Sequence, residues 1–302
     1  MRSQGFISLV RIRELPLNNG YRIGKPRFNV IYWGMDFTGL PQMQTNNVAD
    51  NSILSEVVEL RNRLVSSNVP IELKESTMRS IDRLERMAKW GSYSSEFENV
   101  DKYVDWITRI PWGIVSEDNL DIKNAKEIMD STHYGIDTVK NLILDYLAVM
   151  QLKNIDKSSP ALNAYQEVDS SSLRGSSANA PVLLFLGLQG VGKTSIAKSI
   201  AQSMGRKFVR VSLGAIGDVR TLRGTPRHEV DAEPGQIVKA LVRSGTMNPV
   251  ILIDEIEKAS SNAGLLNDVM AALLEILDSE QNSAFIDHYI DYPIDLSKVF
   301  FI

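Results

Sequence analysis

The sequence predicts an α/β fold in which a mostly parallel sheet, covered by helices on both faces, follows a helical neck. Three observations predict it. Beyond Pro181, short β-branched and aliphatic runs at 182–186, 208–213, 250–253 and 299–302 alternate with helical patterns such as 195–204, the order of strand–helix–strand units. The runs at 182–186, 250–253 and 299–302 are apolar at consecutive positions, so these strands are to be covered on both faces. Residues 51–112 repeat apolar side chains at three- and four-residue steps instead, the period of helices.

Composition sets the frame for each element. Of 302 residues, 43% are hydrophobic and 23% charged, ordinary for a globular chain and unlike a disordered, collagen-like or coiled-coil one. Lys and Arg number 33 against 37 Asp and Glu, a net charge of −4, so no global basic field points to a nucleic-acid partner. The absence of cysteine excludes thiolate catalysis, cysteine-ligated metals and disulfides. His133, His228 and His288 are far apart and lack ligand spacing, so they read as structural or incidental. No run approaches the 18 apolar residues of a membrane helix, and no membrane partner is expected.

Residues 1–50 hold six basic residues (Arg2, Arg11, Arg13, Arg22, Lys25 and Arg27) against three acidic ones. They read as the remnant of an N-terminal module. A transit peptide is the lesser reading, because Gly, Pro and Asn interrupt any amphipathic helix. The neck, 51–115, follows. Ile53, Val57, Leu60 and Leu64 mark a first helix that ends before Pro70, and Met78, Ile81, Leu84 and Met87 a second. Val100, Tyr103, Val104 and Ile107 mark a third, stopped by Pro111 and Gly113, residues that cannot continue a helix. Two further helices are predicted near 122–130 and 136–150. Residues 153–180 contain seven serines and no apolar period and read as a flexible insertion. The α/β core is assigned to 116–302.

The chemistry is concentrated at two places. Gly187, Leu188, Gln189, Gly190, Val191, Gly192, Lys193 and Thr194 match G-x-x-x-x-G-K-[ST] between a predicted strand and a predicted helix. The four fixed positions should arise by chance in roughly one in a hundred chains of this size. The glycines let backbone N–H groups wrap phosphates, and the helix N-terminus adds partial positive charge. Lys193 is placed to reach the β- and γ-phosphates of ATP, and Thr194 to put its hydroxyl on Mg²⁺. The second place is 250–255, an aliphatic run ending in Asp254 and Glu255. Parallel strands bring such an end beside the phosphate loop, so Asp254 is assigned as a second Mg²⁺ ligand and Glu255 as the group that orients or deprotonates the attacking water.

On these motifs, and on Tyr103-Val104-Asp105-Trp106, Ile110-Pro111-Trp112-Gly113, His133-Tyr134-Gly135 and Asp287-His288-Tyr289, residues 70–302 resemble the neck and ATPase module of the Lon family of ATP-dependent serine proteases. The resemblance implies an AAA+ P-loop NTPase core, hexameric homo-oligomeric rings, unfolded or damaged proteins as substrates, and a serine–lysine protease domain after the ATPase. It also implies that His133, Tyr134 and Gly135 lie close to the adenine. The insertion ahead of the first core strand is similar to one in fungal peroxisomal members, which points to an organellar matrix, peroxisomal rather than mitochondrial.

The departures set further expectations. Glu229 stands where the family presents an aromatic to a central pore, and an acid lacks the large apolar area of such a grip. Leu188 and Gln189 replace a proline pair in the phosphate loop, where backbone shape rather than side chain matters. The 302 residues hold no counterpart of the protease motif, the fifth core strand, the arginine finger or the lid. The only look-alike of the protease motif is 175–179, which lacks a paired lysine. The core is therefore expected to stop before its fifth strand, leaving 182–186 as an open edge. Loss of an arginine finger costs about 10³–10⁵ in turnover, so ATP turnover by this chain alone is expected to stay below about one per second. These residues leave open whether the chain is itself an enzyme. Two other readings stand beside the ATPase one. A non-proteolytic module or degenerate fragment would bind the ring of a full-length homologue. A nucleic-acid-stimulated ATPase would rest on the basic N-terminus and show salt-dependent binding.

Overall fold

Helices α1 (Asn47–Ser66), α2 (Ile71–Ala88) and α3 (Ser94–Arg109) form where the sequence repeats apolar residues at helical spacing. Val57, Leu60 and Leu64 on α1, Leu73 and Ile81 on α2, and Val104 and Ile107 on α3 are all buried. Pro70 opens α2, where its carbonyl accepts from Lys74 N at 2.8 Å and its missing N–H costs nothing. After α3 the chain turns at Gly113, φ +71°, and the Trp112 indole donates to Ile107 O at 2.8 Å. Arg61 pairs with Asp82 and Glu85 across the α1–α2 face. These pairs are about one-third exposed, so they fix register more than they stabilise.

The computed structural model describes residues 47–88, 94–158, 182–188, 190–214, 218–258 and 263–302, all within one compact unit, Asn46–Ile302. The module expected over 1–50, apart from the first turn of α1, lies outside the described residues. So do Gln189, the look-alike at 175–179 and most of the expected insertion.

A short connection, 114–121, is bolted to the core. Met247 N donates to Ile114 O at 2.7 Å, and the Asn248 side chain bonds both the N–H and the carbonyl of Ser116 at 2.8 Å. Arg206 makes a two-pronged contact with Asp118, 2.6 Å on each arm, and donates to Lys298 O at 2.9 Å. Its side chain is 5% exposed, so the full set of partners is what makes the burial tolerable.

Asp121 then caps α4 (Ile122–Thr132) by accepting from Lys123 N at 2.9 Å, as an N-cap acid does. Helix α5 spans Asp137–Ser158. It therefore runs six residues into the segment read as a flexible insertion from 153. The reason is visible in the sequence: 151–158 contains neither Gly nor Pro, and the first residue able to break the helix is Pro160.

The sheet has the order β1 (Phe208–Ser212), β2 (Val250–Asp254), β5 (Phe300–Phe301), all parallel. Helix α6 (Lys193–Ser203) precedes β1, and between the strands lie α7 (Arg220–Arg223), α8 (Gln236–Ser244) and α9 (Ala263–Leu277), together with an antiparallel pair, β3 (Phe285–Ile286) and β4 (Pro293–Ile294). The sequence patterns named above predict none of α7, α8, α9 and the β3–β4 pair. Parity along the strands sorts the core into two layers. Odd-numbered Val209, Val211, Ile251, Ile253 and Phe301 face a core that runs without a break into α1–α3. Even-numbered Val250, Leu252 and Phe300 face α4, α5 and α6.

The run 182–186 departs from the expected doubly covered strand. Only Val182 bridges to Phe301, with Leu183 N donating to Phe301 O at 3.0 Å. Leu184 and Leu186 are 73% and 86% exposed. Leu183 and Phe185 pack on the core of α4, α5 and α6, while the other face of the run meets water.

Candidate functional site

The N-terminus of α6 and the C-terminal ends of β1 and β2 meet at one edge of the sheet. Gly190 and Gly192 hold φ of +80° and +94°, values open to glycine and costly for other residues. Gly192 is the residue from which α6 departs. Lys193 Nζ donates to Gly187 O at 2.7 Å and Leu188 O at 2.9 Å, so the ammonium arches over the loop that the motif defines.

Parity places the acids. Asp254 continues the even series of β2 and therefore faces α6, where Thr194 Oγ1 lies 3.5 Å from Asp254 Oδ2. Two oxygens on one octahedral Mg²⁺ at about 2.1 Å stand roughly 3 Å apart, so this pair fits a shared ion. Among the described residues no three His, Asp or Glu side chains form a metal cluster. A cation here would be held as Mg²⁺ commonly is, by one or two protein oxygens plus water and phosphate.

Glu255 sits just past β2 at φ +61°, a strained setting for a non-glycine residue. Its carboxylate accepts from Lys258 Nζ at 2.9 Å and Ser212 Oγ at 3.1 Å. The hydrogen bond from Lys258, then that from Ser212, hold it below the usual carboxylate range. It is thus ionised at neutral pH and able to accept a proton. Gly214 leaves room for it, since a Cβ there would overlap Glu255 Oε2.

Residues 183–302 match the family model described as "ATPase family associated with various cellular activities (AAA)". The chain is 42% identical to the Lon protease of Roseiflexus castenholzii, 43% to Lon protease 2 of Thermus thermophilus and 41% to Lon protease 1 of Bacillus subtilis, each over 82% of its own length. This is an AAA ATPase region of the Lon type. The matched stretches are 28%, 29% and 28% of those relatives, so the chain spans less than a third of their length. They lend no support to the finer likeness to fungal organellar members.

In this Lon-type region the His133-Tyr134-Gly135 turn docks on the phosphate-loop helix. Ser199 on α6 is buried, with its Oγ 3.0 Å from His133 Nε2 and 3.1 Å from Thr132 Oγ1. Gly135 takes φ +70°. Tyr134 is fully exposed, so the structure joins the histidine, and not the tyrosine, to the site's scaffold. A cavity of about 350 Å³ opens beside this turn, lined by Lys126, Asp130, Asp137 and Lys140 among others. Lys140 is buried and donates to Asp130 Oδ1 at 2.8 Å and His133 O at 2.7 Å. It is a site-shaping residue that the sequence alone did not single out.

Two loops lie away from the phosphate loop. Residues 225–233 are closed at the base by Thr225 N to Glu233 O at 3.0 Å and Glu233 N to Thr225 Oγ1 at 2.8 Å. Glu229 folds back onto Arg220, 2.8 Å away, which leaves Val230, 92% exposed, as the apolar tip. Asp287 ties this loop to the next. Its Oδ2 accepts from Gly235 N at 2.7 Å, and its Oδ1 from Tyr289 N at 2.9 Å and Ile290 N at 3.1 Å. His228 and His288, distant in sequence, line one open cavity of about 560 Å³ with Arg227 and Asp291. Both loops rest on α3: Arg227 stacks 4.3 Å above the Tyr103 ring, and Tyr103 Oη donates to Ile290 O at 3.0 Å.

Burial pushes Asp287 up to about 6, against the opposing pull of the three N–H donors and Lys239. The folded chain therefore holds this proton more tightly than the unfolded one. The resulting stability is fully present below about pH 4 and is lost as pH rises through about 6, on the order of 3 kcal/mol in all. Urea unfolding of the wild type and Asp287→Asn should show a stability gap that shrinks by about that amount between pH 4 and pH 7. A gap independent of pH would show that Asp287 is already ionised at pH 4.

Proposed function

We propose that this chain is the ATP- and Mg²⁺-binding module of a Lon-type protease, in which nucleotide turnover drives the handling of unfolded or damaged polypeptides within a hexameric ring. The observation that carries the nucleotide part is the approach of Thr194 and Asp254 across the phosphate-loop helix and β2, at 3.5 Å. The ring, its protein substrates and the proteolytic step rest on the likeness to proteins named Lon protease.

Within this reading, the backbone N–H groups of 187–194 bind the phosphates. Lys193 exchanges its two carbonyl partners for phosphate oxygens, and Thr194 and Asp254 hold the cation, which when bound neutralises charge on the phosphates. Glu255 accepts the proton of the attacking water after its carboxylate leaves Ser212 and Lys258. The His133 turn closes the base end, held on α6 through Ser199. Val230 at the loop tip supplies the apolar contact that Glu229, paired with Arg220, does not.

The test is nucleotide binding. Fluorescent mant-ADP should bind the wild type, and Lys193→Ala should weaken it by at least tenfold, as loss of a charge-assisted phosphate contact of about 1.5–3 kcal/mol requires. Equal affinities would remove the assignment of 187–194.

A further inference from the structure

One charged contact at the phosphate-loop edge is unused by the proposed chemistry. Arg210 lies on β1 in register with Leu252, and Ser212 in register with Asp254. Both follow the even parity that turns Asp254 toward α6. The Arg210 guanidinium donates through Nε to Asp254 Oδ2 at 2.9 Å, with its second arm also 2.9 Å from that oxygen. This is the same oxygen that Thr194 Oγ1 approaches at 3.5 Å. The other oxygen, Oδ1, accepts from Glu255 N at 2.9 Å. A cation shared by Thr194 and Asp254 must therefore use the carboxylate oxygen that Arg210 holds.

Two like-charged groups a few ångströms apart repel, and a dication doubles the effect. The guanidinium is also a fixed fork that cannot shed its proton, so it can yield only by moving away. With Arg210 47% exposed and Asp254 20% exposed, the pair is partly in water and is weak enough to open.

We propose that Arg210 is a built-in competitor for the divalent cation at Asp254 Oδ2: ion and guanidinium exclude each other, and loading of the ion releases Arg210 toward the phosphate end of the site. Arg210 is thus a positioning residue that acts through Asp254 and sets how tightly the cation is held. The inference rests on the nucleotide reading above.

The experiment titrates Mn²⁺ into the full chain with ADP present and follows free Mn²⁺ by electron paramagnetic resonance. Arg210→Gln should bind Mn²⁺ about tenfold more tightly than the wild type, with Arg210→Lys in between because it keeps the charge and loses the fork. Asp254→Asn should abolish the difference. The thermal midpoint of Arg210→Gln should stay within about 2 °C of the wild type, as for loss of a surface pair. An Mn²⁺ affinity in Arg210→Gln equal to or weaker than the wild type overturns the proposal while leaving nucleotide binding in place. Absence of mant-ADP binding by the wild type would instead remove the nucleotide reading, and this proposal with it.

Discussion

Glu255→Gln lowers single-turnover ATP hydrolysis by about 10²–10⁴-fold while ADP still binds. Glutamine keeps the shape and can still meet Ser212 and Lys258, but it cannot take a proton from water. Hydrogen bonds from Lys258 and Ser212 hold the wild-type carboxylate below its usual range, so it is ionised at neutral pH and becomes a proton acceptor once it leaves them. Single-turnover measurement isolates the chemical step from product release. Hydrolysis within threefold of the wild type would assign the proton acceptor elsewhere. Gly214→Ala reaches the same carboxylate by another route, because the new methyl would displace a flexible side-chain end. It should slow hydrolysis without unfolding the chain.

Gly235→Ala abolishes cooperative folding. The backbone at Gly235 is an ordinary extended one, φ −68° and ψ 166°, so conformational freedom is not the issue. A Cβ there would overlap the carbonyl oxygen of Leu222 and stand 2.6 Å from its carbon and 2.8 Å from Gly224 N. All three are backbone atoms and cannot rotate aside. Relief requires separating α7 from α8, which also pulls Gly235 N off the buried Asp287. That combination of overpacking and a stranded buried carboxylate should exceed about 4 kcal/mol, a large part of a domain's whole stability. Gly245→Ala is the control: its φ of +69° is strained for alanine, yet nothing lies within 4 Å, and about 1 kcal/mol is expected. A Gly235→Ala transition as stable as that of Gly245→Ala would show that the α7–α8 contact yields easily.

The chemistry of the site was legible because it is local. The phosphate loop is one run of eight residues, and the acids 254 and 255 follow directly on the strand that aims them. Parity along β2 then sends Asp254 to α6 with no further information. What escaped was built from distant backbone. Nothing near Asp287 announces that its partners are N–H groups, one of them 52 residues away at Gly235. Arg210 belongs to no motif, and only the β1–β2 register shows that it meets Asp254. The run 182–186 pairs at its start alone, through Val182 and Leu183 with Phe301, because strand formation is a property of the neighbour as much as of the run. Helix α5 outruns its expected end because no residue from 151 to 158 breaks it and serine alone does not.

The seat of both loops on Tyr103 has a kinetic consequence. Tyr103 and its partner Ile290 are 187 residues apart in the chain, so the neck emerges from a ribosome long before the turn that covers it. At about 5–20 residues per second the delay is roughly 10–40 s. Until Arg227 and then the 287–292 turn have been made, the face of α3 bearing Tyr103, together with Trp112, which packs edge-on against Tyr292 at 6.0 Å, lacks these later partners. Closing so long a loop comes late in folding. A nascent chain arrested before Tyr289 should therefore recruit holding chaperones through its neck and release them once the turn is made.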